Sequence, residues 1–515
     1  MTRSPELAIF LLDALDPGLT AKWAADGYLP TLQGLMQSGC WSTLGGRDQV
    51  AEVGSTLSLF SGISRGRHGL FHYRQLLPGT VEMRPKSAIG VDAPPIWSSF
   101  GQRRPVTVLD IAHVLPVPDL AGVQLSNWNA GQADQCRLPP SGVPTSLPEE
   151  VRDAIGPSTR FDPFSDDCSP EEDLHVMQKA IDSIKRTGHL CRYLLSKESS
   201  DFVAFGFHEA HAAGHRLLRY MKTGGPGRET VMSTALRQVY EALDAEIGSL
   251  IRSHFRESNV FVVSAFGVDE MYPVQGLVDD FLSKLGYRTI LAPTSLSRWR
   301  SPFAAARLLP PRWRTALSNR VPLAVQERLL SDNLRRTTDW SRTKIFALPT
   351  NYYAFLRVNL RGREPDGIVE PGREYEALLE QVEADLRALV DPVTNESAVD
   401  QVTRSRGVLC DGPPDELPDL FVDWKPAVHE RPALIHPRAR IEQKRQRYNR
   451  DSFHTNVGFM AAAGPAIEGR GAVEQLDLLD LAPTWLNLLG ERIPSDLTGR
   501  PVDFLSGNSR TTPPD

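Results

Sequence analysis

The chain reads as an α/β fold with a mostly parallel central sheet and helices on both faces, and three observations predict it. Short, uniformly apolar runs alternate with longer amphipathic stretches along the 515 residues, the pattern of buried parallel strands joined by crossover helices. The runs close on polar residues such as Asp13 and His208, as expected at the carboxyl edge of such a sheet, where open α/β folds hold their ligands. The composition is that of a globular protein, 41% hydrophobic and 23% charged, with Lys+Arg 57 against Asp+Glu 63 and a net charge of −6.

In chain order, the strands fall at Leu7–Leu12, Val106–Leu109, Phe202–Phe207, Val260–Ser264, Asn351–Val358 and Val457–Ala462. A helix over Glu171–Ser196 opens with Ser169-Pro170, where Ser caps the first turn and Pro fits it. A second helix runs over Glu374–Leu389, with Tyr375, Leu378, Leu379, Val382 and Leu386 on one face. Two stretches rich in Pro and turn residues, near 138–163 and 290–340, read as insertions forming a cap or lid. We expect a single catalytic domain over 1–505 and a disordered tail over 506–515.

Several function classes drop out. No window reaches the roughly 18 consecutive apolar residues of a membrane span, so no membrane association is expected. The acidic balance argues against a nucleic-acid partner, and the basic run Arg438–Arg450 reads as a solvated loop. The five Cys are scattered without a C-x-x-C pair, which argues against disulfides or a Cys-based zinc site and places the chain in a reducing cytoplasm. A small-molecule substrate is expected; the oligomeric state is open.

Asp13 closes the first strand. The strand ending at Phe207 delivers His208-Glu-Ala-His211-Ala-Ala-Gly-His215, three of the chain's 12 His within eight residues. His211 and His215 stand at i, i+4, which on a helix sets both imidazoles on one face at chelating separation. His208 reads as a surface or supporting residue. Far downstream, His454 precedes the last strand.

These residues, together with Leu29-Pro-Thr-Leu32, Leu35-Met-Gln-Ser-Gly-Cys40, Phe60-Ser-Gly-Ile-Ser-Arg-Gly-Arg-His68-Gly69, Val262-Val-Ser-Ala-Phe-Gly267, Asn359-Leu-Arg-Gly-Arg363, Leu417-Pro-Asp419 and Leu478-Leu-Asp-Leu-Ala-Pro-Thr484, follow one another in a familiar order. The chain resembles the alkaline phosphatase superfamily, and within it the type I phosphodiesterase/nucleotide pyrophosphatase branch. That resemblance implies a three-layer sandwich and hydrolysis at phosphorus or sulfur by two metal ions roughly 4 Å apart, one of them binding a hydroxyl nucleophile.

Carried over residue by residue, the resemblance divides. His211, His215 and His454 fall on one metal site, with His211 where the family has Asp. The other site keeps Asp13, but its Asp-His pair has become Ala265-Phe266, and the nucleophile position holds Glu52. One divalent metal is therefore expected, zinc first and iron or manganese as alternatives, with ligands drawn from His211, His215, His454, Asp13 and Glu52. Asp13 and Glu52 are the catalytic candidates, Glu52 as ligand, general base or nucleophile; Arg74, Arg363 and Glu209 are candidates for holding substrate. The resulting expectation is a metal-dependent hydrolase that cleaves a phosphoester or related ester with a metal-bound water. Two alternatives are a non-hydrolytic single-metal enzyme on the same scaffold and a catalytically silent binding protein.

Overall fold

The computed structural model describes residues 4–51, 53–129, 138–158, 169–222, 230–291, 321–350, 352–410, 412, 414–443 and 452–503. Glu52, the expected tail at 506–515 and the parts of the expected insertions at 159–163 and 292–320 lie outside the described residues. The described parts of those insertions hold ordinary elements, a strand at Ser141–Val143, a helix at Leu147–Ile155 and a helix at Leu323–Thr337. Two compact units emerge, one from Met1–His68, Ser87–Asp269 and His454–Asp515, the other from Gly69–Lys86 and Glu270–Phe453.

In the first unit Leu7–Leu12 is a strand because six apolar residues in succession can be satisfied only where both faces are covered, and all six are buried. It pairs in parallel with Phe202–Phe207 on one side and Asn259–Ser264 on the other. The ten-stranded sheet continues past Phe202–Phe207 through Val106–Leu109, Gly122–Ser126 and Ser141–Val143. Past Asn259–Ser264 it continues through Gly458–Ala463 and Cys40–Gly45. Most pairings are parallel; Gly458–Ala463 runs antiparallel to both neighbours, and Ser141–Val143 is antiparallel at an edge.

Period-two alternation sends side chains to two helical layers. Ala8, Phe10 and Leu12 join Val203, Phe205 and Phe207 in the core that buries residues of the helices Pro170–Lys197 and Val231–His254. On the opposite face Phe261 meets Trp485 at 6.0 Å between ring centroids and Phe60 meets Trp485 at 5.3 Å, bringing in the helices Ser55–Ser61 and Leu481–Leu488. The start of Pro170–Lys197 follows from its sequence: Ser169 accepts from the Glu172 N–H, and Glu171, Glu172 and Asp173 complement the dipole in the first turn.

The second unit holds a four-stranded antiparallel sheet in the order Ile345–Ala347, Ala354–Val358, Leu420–Trp424, Val399–Arg404. It shares a core with the helices Gln275–Lys284 and Arg373–Arg387. The apolar run expected as a strand from Asn351 thus starts at Ala354 and belongs to this separate sheet. A short apolar run reads the same whichever sheet buries it.

Candidate metal centre

Two neighbouring strands build the floor of the site. Leu12 and Phe207 are in register, and the Asp13 N–H donates to the Phe207 carbonyl at 2.8 Å, so Asp13 and His208 leave the sheet together. His208 stops the strand with φ −109° and ψ 2°, and the helix Glu209–Leu217 begins at once. That helix sets His211 and His215 one turn apart on one face, with ring centroids 5.0 Å apart, as their spacing predicts. His454 arrives ahead of Gly458–Ala463.

The three imidazoles meet through the same atom. His454 Nε2 lies 2.8 Å from His211 Nε2 and 3.0 Å from His215 Nε2, and one ligand nitrogen from each ring falls within 4.8 Å of the others. His211 Nδ1 lies 2.8 Å from Asp13 Oδ2, and the carboxylate, as acceptor, assigns the proton of a neutral His211 to Nδ1 and leaves the Nε2 lone pair facing inward. A single N–H on His454 Nε2 can be donated to one neighbour and not both. Converging lone pairs of this kind repel one another unless a cation takes them up. The spacing fits such an ion: tetrahedral zinc with bonds of about 2.0–2.1 Å spreads its donors to about 3.3 Å, a small expansion of what is seen.

Asp13 meets this cluster through the ring of His211, the geometry of a carboxylate that orients a ligating imidazole. Its Oδ2 also meets His208 Nδ1 at 3.1 Å, and His208 Nε2 reaches the Asp110 carbonyl at 2.8 Å. Gly206 permits that approach, because a Cβ there would overlap the Asp110 carbonyl oxygen. Burial works against ionisation of Asp13, but the imidazoles of His211 and His208 outweigh it and hold the carboxyl well below the usual carboxylate range. Burial likewise disfavours charge on His208, yet the bond and charge of Asp13 push its imidazole up to about 9. His208 is a site residue that spacing alone does not reveal; its position beside Asp13 depends on the pairing of two strands nearly 200 residues apart.

The Ala265-Phe266 side is apolar. The Phe266 ring stands edge-on to His211 at 5.9 Å and to His454 at 4.9 Å between centroids. Gln49 donates from Nε2 to the Ala265 carbonyl, while its buried Oε1 has no partner among the described residues. The segment that carries position 52 is framed by Arg65, which is fully buried and donates to the carbonyls of Asp48 at 3.1 Å, Ala51 at 2.9 Å and Val53 at 2.5 Å. Glu52 itself lies outside the described residues.

The remaining candidates are held by protein partners, Glu209 in the same helix as His211 and His215. Glu209 Oε1 accepts from Ser183 at 2.7 Å and Thr187 at 3.2 Å, and burial pushes its carboxyl up. Arg74 and Arg363 belong to the second unit. Arg74 Nε pairs with Glu327 at 2.5 Å. Arg363 donates to Glu364, to both oxygens of Asp419, and to the carbonyls of Val358 and Pro414, so its fork is directed at protein acceptors.

The profile of the type I phosphodiesterase / nucleotide pyrophosphatase family matches residues 7–405. The chain belongs to that family. It is therefore a member of a family of phosphoester hydrolases, as its motif order implies. Among solved structures, murine ectonucleotide pyrophosphatase / phosphodiesterase 5 is 13% identical, with 98% of this chain and 100% of that chain covered at a TM-score of 0.46. Phosphonoacetate hydrolase from Sinorhizobium meliloti 1021 in complex with phosphonoformate is 14% identical, covering 93% and 94% at a TM-score of 0.45. No curated protein matches the chain.

Proposed function

We propose that this protein is a metal-dependent hydrolase of a phosphoester or related ester, working with one divalent ion held by His211, His215 and His454. The observation that carries the reading is the convergence of three Nε2 atoms, one of them with its tautomer assigned by Asp13. An ion in that set, zinc first and iron or manganese as alternatives, supplies Lewis acidity and lowers the pKa of water. The chain's own residues do the rest. Asp13 orients His211 and spreads its negative charge between two imidazoles. Phe266 excludes water from one side of the ring cluster. Glu52 is our candidate for the general base or nucleophile.

A site with a single cation and two acidic candidates, Asp13 and Glu52, favours a substrate of low negative charge, such as a diester, because a dianion would meet like charge in a cleft of low dielectric. The apolar Ala265-Phe266 pair favours a second reading, in which the three-His ion performs non-hydrolytic chemistry. Three described cysteines, Cys40, Cys191 and Cys410, are free thiols, which supports a cytoplasmic assignment. No helix among the described residues is long and apolar enough to cross a membrane.

The test is elemental analysis of protein purified without chelator, followed by turnover of bis(p-nitrophenyl) phosphate and p-nitrophenyl phosphate with added zinc, manganese or iron. One equivalent of metal with diester cleavage is expected. Metal without any ester cleavage moves the protein to the non-hydrolytic reading, and no metal under any loading condition leaves a binding protein.

A further inference from the structure

The helix Glu209–Leu217 carries two of the three imidazoles, and both of its ends are fastened to one partner, the helix Pro170–Lys197. At the start, Glu209 accepts from Ser183 and Thr187. At the far end, Arg216 follows His215 directly, and its Nε donates to Asp173 Oδ1 at 2.7 Å. The turn Leu218–Lys222 continues the helix and adds two more donors on Asp173 Oδ2, Arg219 Nη2 and, at 2.7 Å, the Tyr220 hydroxyl. One carboxylate thus gathers the side chains that follow His215.

Asp173 is fully buried and Arg216 is 2% exposed. A buried ion pair is weak support for stability, because desolvating two charges offsets their attraction, and its best-attested use is to fix register. Asp173 shares the buried face of its helix with Val176, Met177 and Ala180, where an apolar residue would pack without that cost. Register here bears on the metal centre. His211 and His215 move together with their helix, whereas His454 arrives ahead of Gly458–Ala463. The distances of their Nε2 atoms from His454 Nε2, 2.8 and 3.0 Å, therefore follow the seat of the helix. Gly214 lets that helix press against Val268, since a Cβ there would lie 2.7 Å from Val268 Cγ1. Sites of this kind have to be held within about 0.5 Å.

We propose that Asp173 is a positioning residue of the metal centre: by fixing Arg216 it sets where His211 and His215 stand against His454. The inference rests on the proposed function, in which those three residues hold one divalent ion. Glu209 is the anchor at the other end of the same helix.

The probe is cobalt(II), titrated into the metal-stripped full chain. Its visible absorption reads ligand geometry, and competition with a chromophoric chelator reads affinity. Asp173→Leu/Arg216→Met replaces the pair by apolar side chains and strands no charge in the interior, since Arg219 is partly exposed. Its metal-free melting temperature should stay within a few degrees of the parent's, while cobalt binds at least about tenfold more weakly and the absorption bands shift. Tyr220→Phe removes one donor from Asp173 and no charge; it should move both readouts in the same direction by less, and it decides the matter should the double variant fail to fold. Parent-like affinity and spectrum in the double variant, or in Tyr220→Phe where only that variant folds, would overturn the role of Asp173 and leave the three-His site standing. A parent chain that takes up no cobalt overturns both.

Discussion

The first unit contains two histidine networks of opposite character. In one, His68 Nε2 meets Ser58 Oγ at 2.9 Å, Ser58 Oγ meets Asp48 Oδ2 at 2.8 Å, and the Arg65 N–H donates to Asp48 Oδ1 at 2.6 Å. Donors alternate with acceptors there, as a buried polar network requires, and the chain itself completes it. In the other, His211, His215 and His454 turn nitrogen toward nitrogen. What separates the two networks is therefore what faces each imidazole nitrogen, and burial does not tell them apart: His68 is 4% exposed and His454 6%.

The comparison breaks most sharply under His211→Ala. Metal content should fall to background and diester turnover by on the order of 10³-fold, while the melting temperature of metal-stripped protein stays within a few degrees of the parent; elemental analysis and calorimetry read both. Arg65→Met should do the reverse. It removes the charge beside Asp48 and leaves the carbonyls of Asp48, Ala51 and Val53 without their side-chain donor, at a cost of about 3–5 kcal/mol in urea denaturation, and the protein that remains folded should still bind metal.

Asp13→Asn tests the link between the two kinds of network, since Asp13 is a satisfied acceptor bonded to His211, a ligand in the proposed function. Metal affinity should drop about 10- to 100-fold by competition with a chromophoric chelator. An unchanged affinity would show that the His211 ring is set by packing alone.

The networks should also differ in the sign of their pH dependence. Folded His208 keeps its proton up to about 9 against an ordinary value of 6.5, so its contribution is complete below pH 6.5 and is lost as pH rises toward 9. Burial, with the Arg65 charge beside it, pushes His68 down to about 3, so its contribution is complete above pH 6.5 and is lost as pH falls toward 3. Urea midpoints of metal-stripped protein measured across pH should flatten on the alkaline limb in His208→Gln and on the acid limb in His68→Gln. The smallest expected effect is that of Phe266→Leu, about 1 kcal/mol from two edge-on ring contacts, with metal content unchanged.

Much of the scaffold is legible in local pattern. Leu7–Leu12, Val106–Leu109 and Phe202–Phe207 form as read, and the helix read at Glu171–Ser196 spans Pro170–Lys197, because uniform burial and helix capping leave marks within a few residues. His211 and His215 are legible for the same reason, since helical spacing is local. The roles open to Arg363 and Glu209 are less so. An Arg in a motif looks identical whether its fork meets a substrate or Asp419, and only long-range packing chooses between them.

The order of motifs along the chain determined the family, the parallel core and the identity of three imidazoles at one site. It also determined that Ala265 and Phe266 offer no ligand atom, since side-chain chemistry needs no coordinates. Tertiary structure alone decided that Asp13 Oδ2 faces two histidine rings, that His208 joins them, and that the three Nε2 atoms converge. Each of those facts depends on hydrogen-bond direction across strands and helices far apart in sequence, and direction is a property of the assembled sheet, absent from any local run of residues.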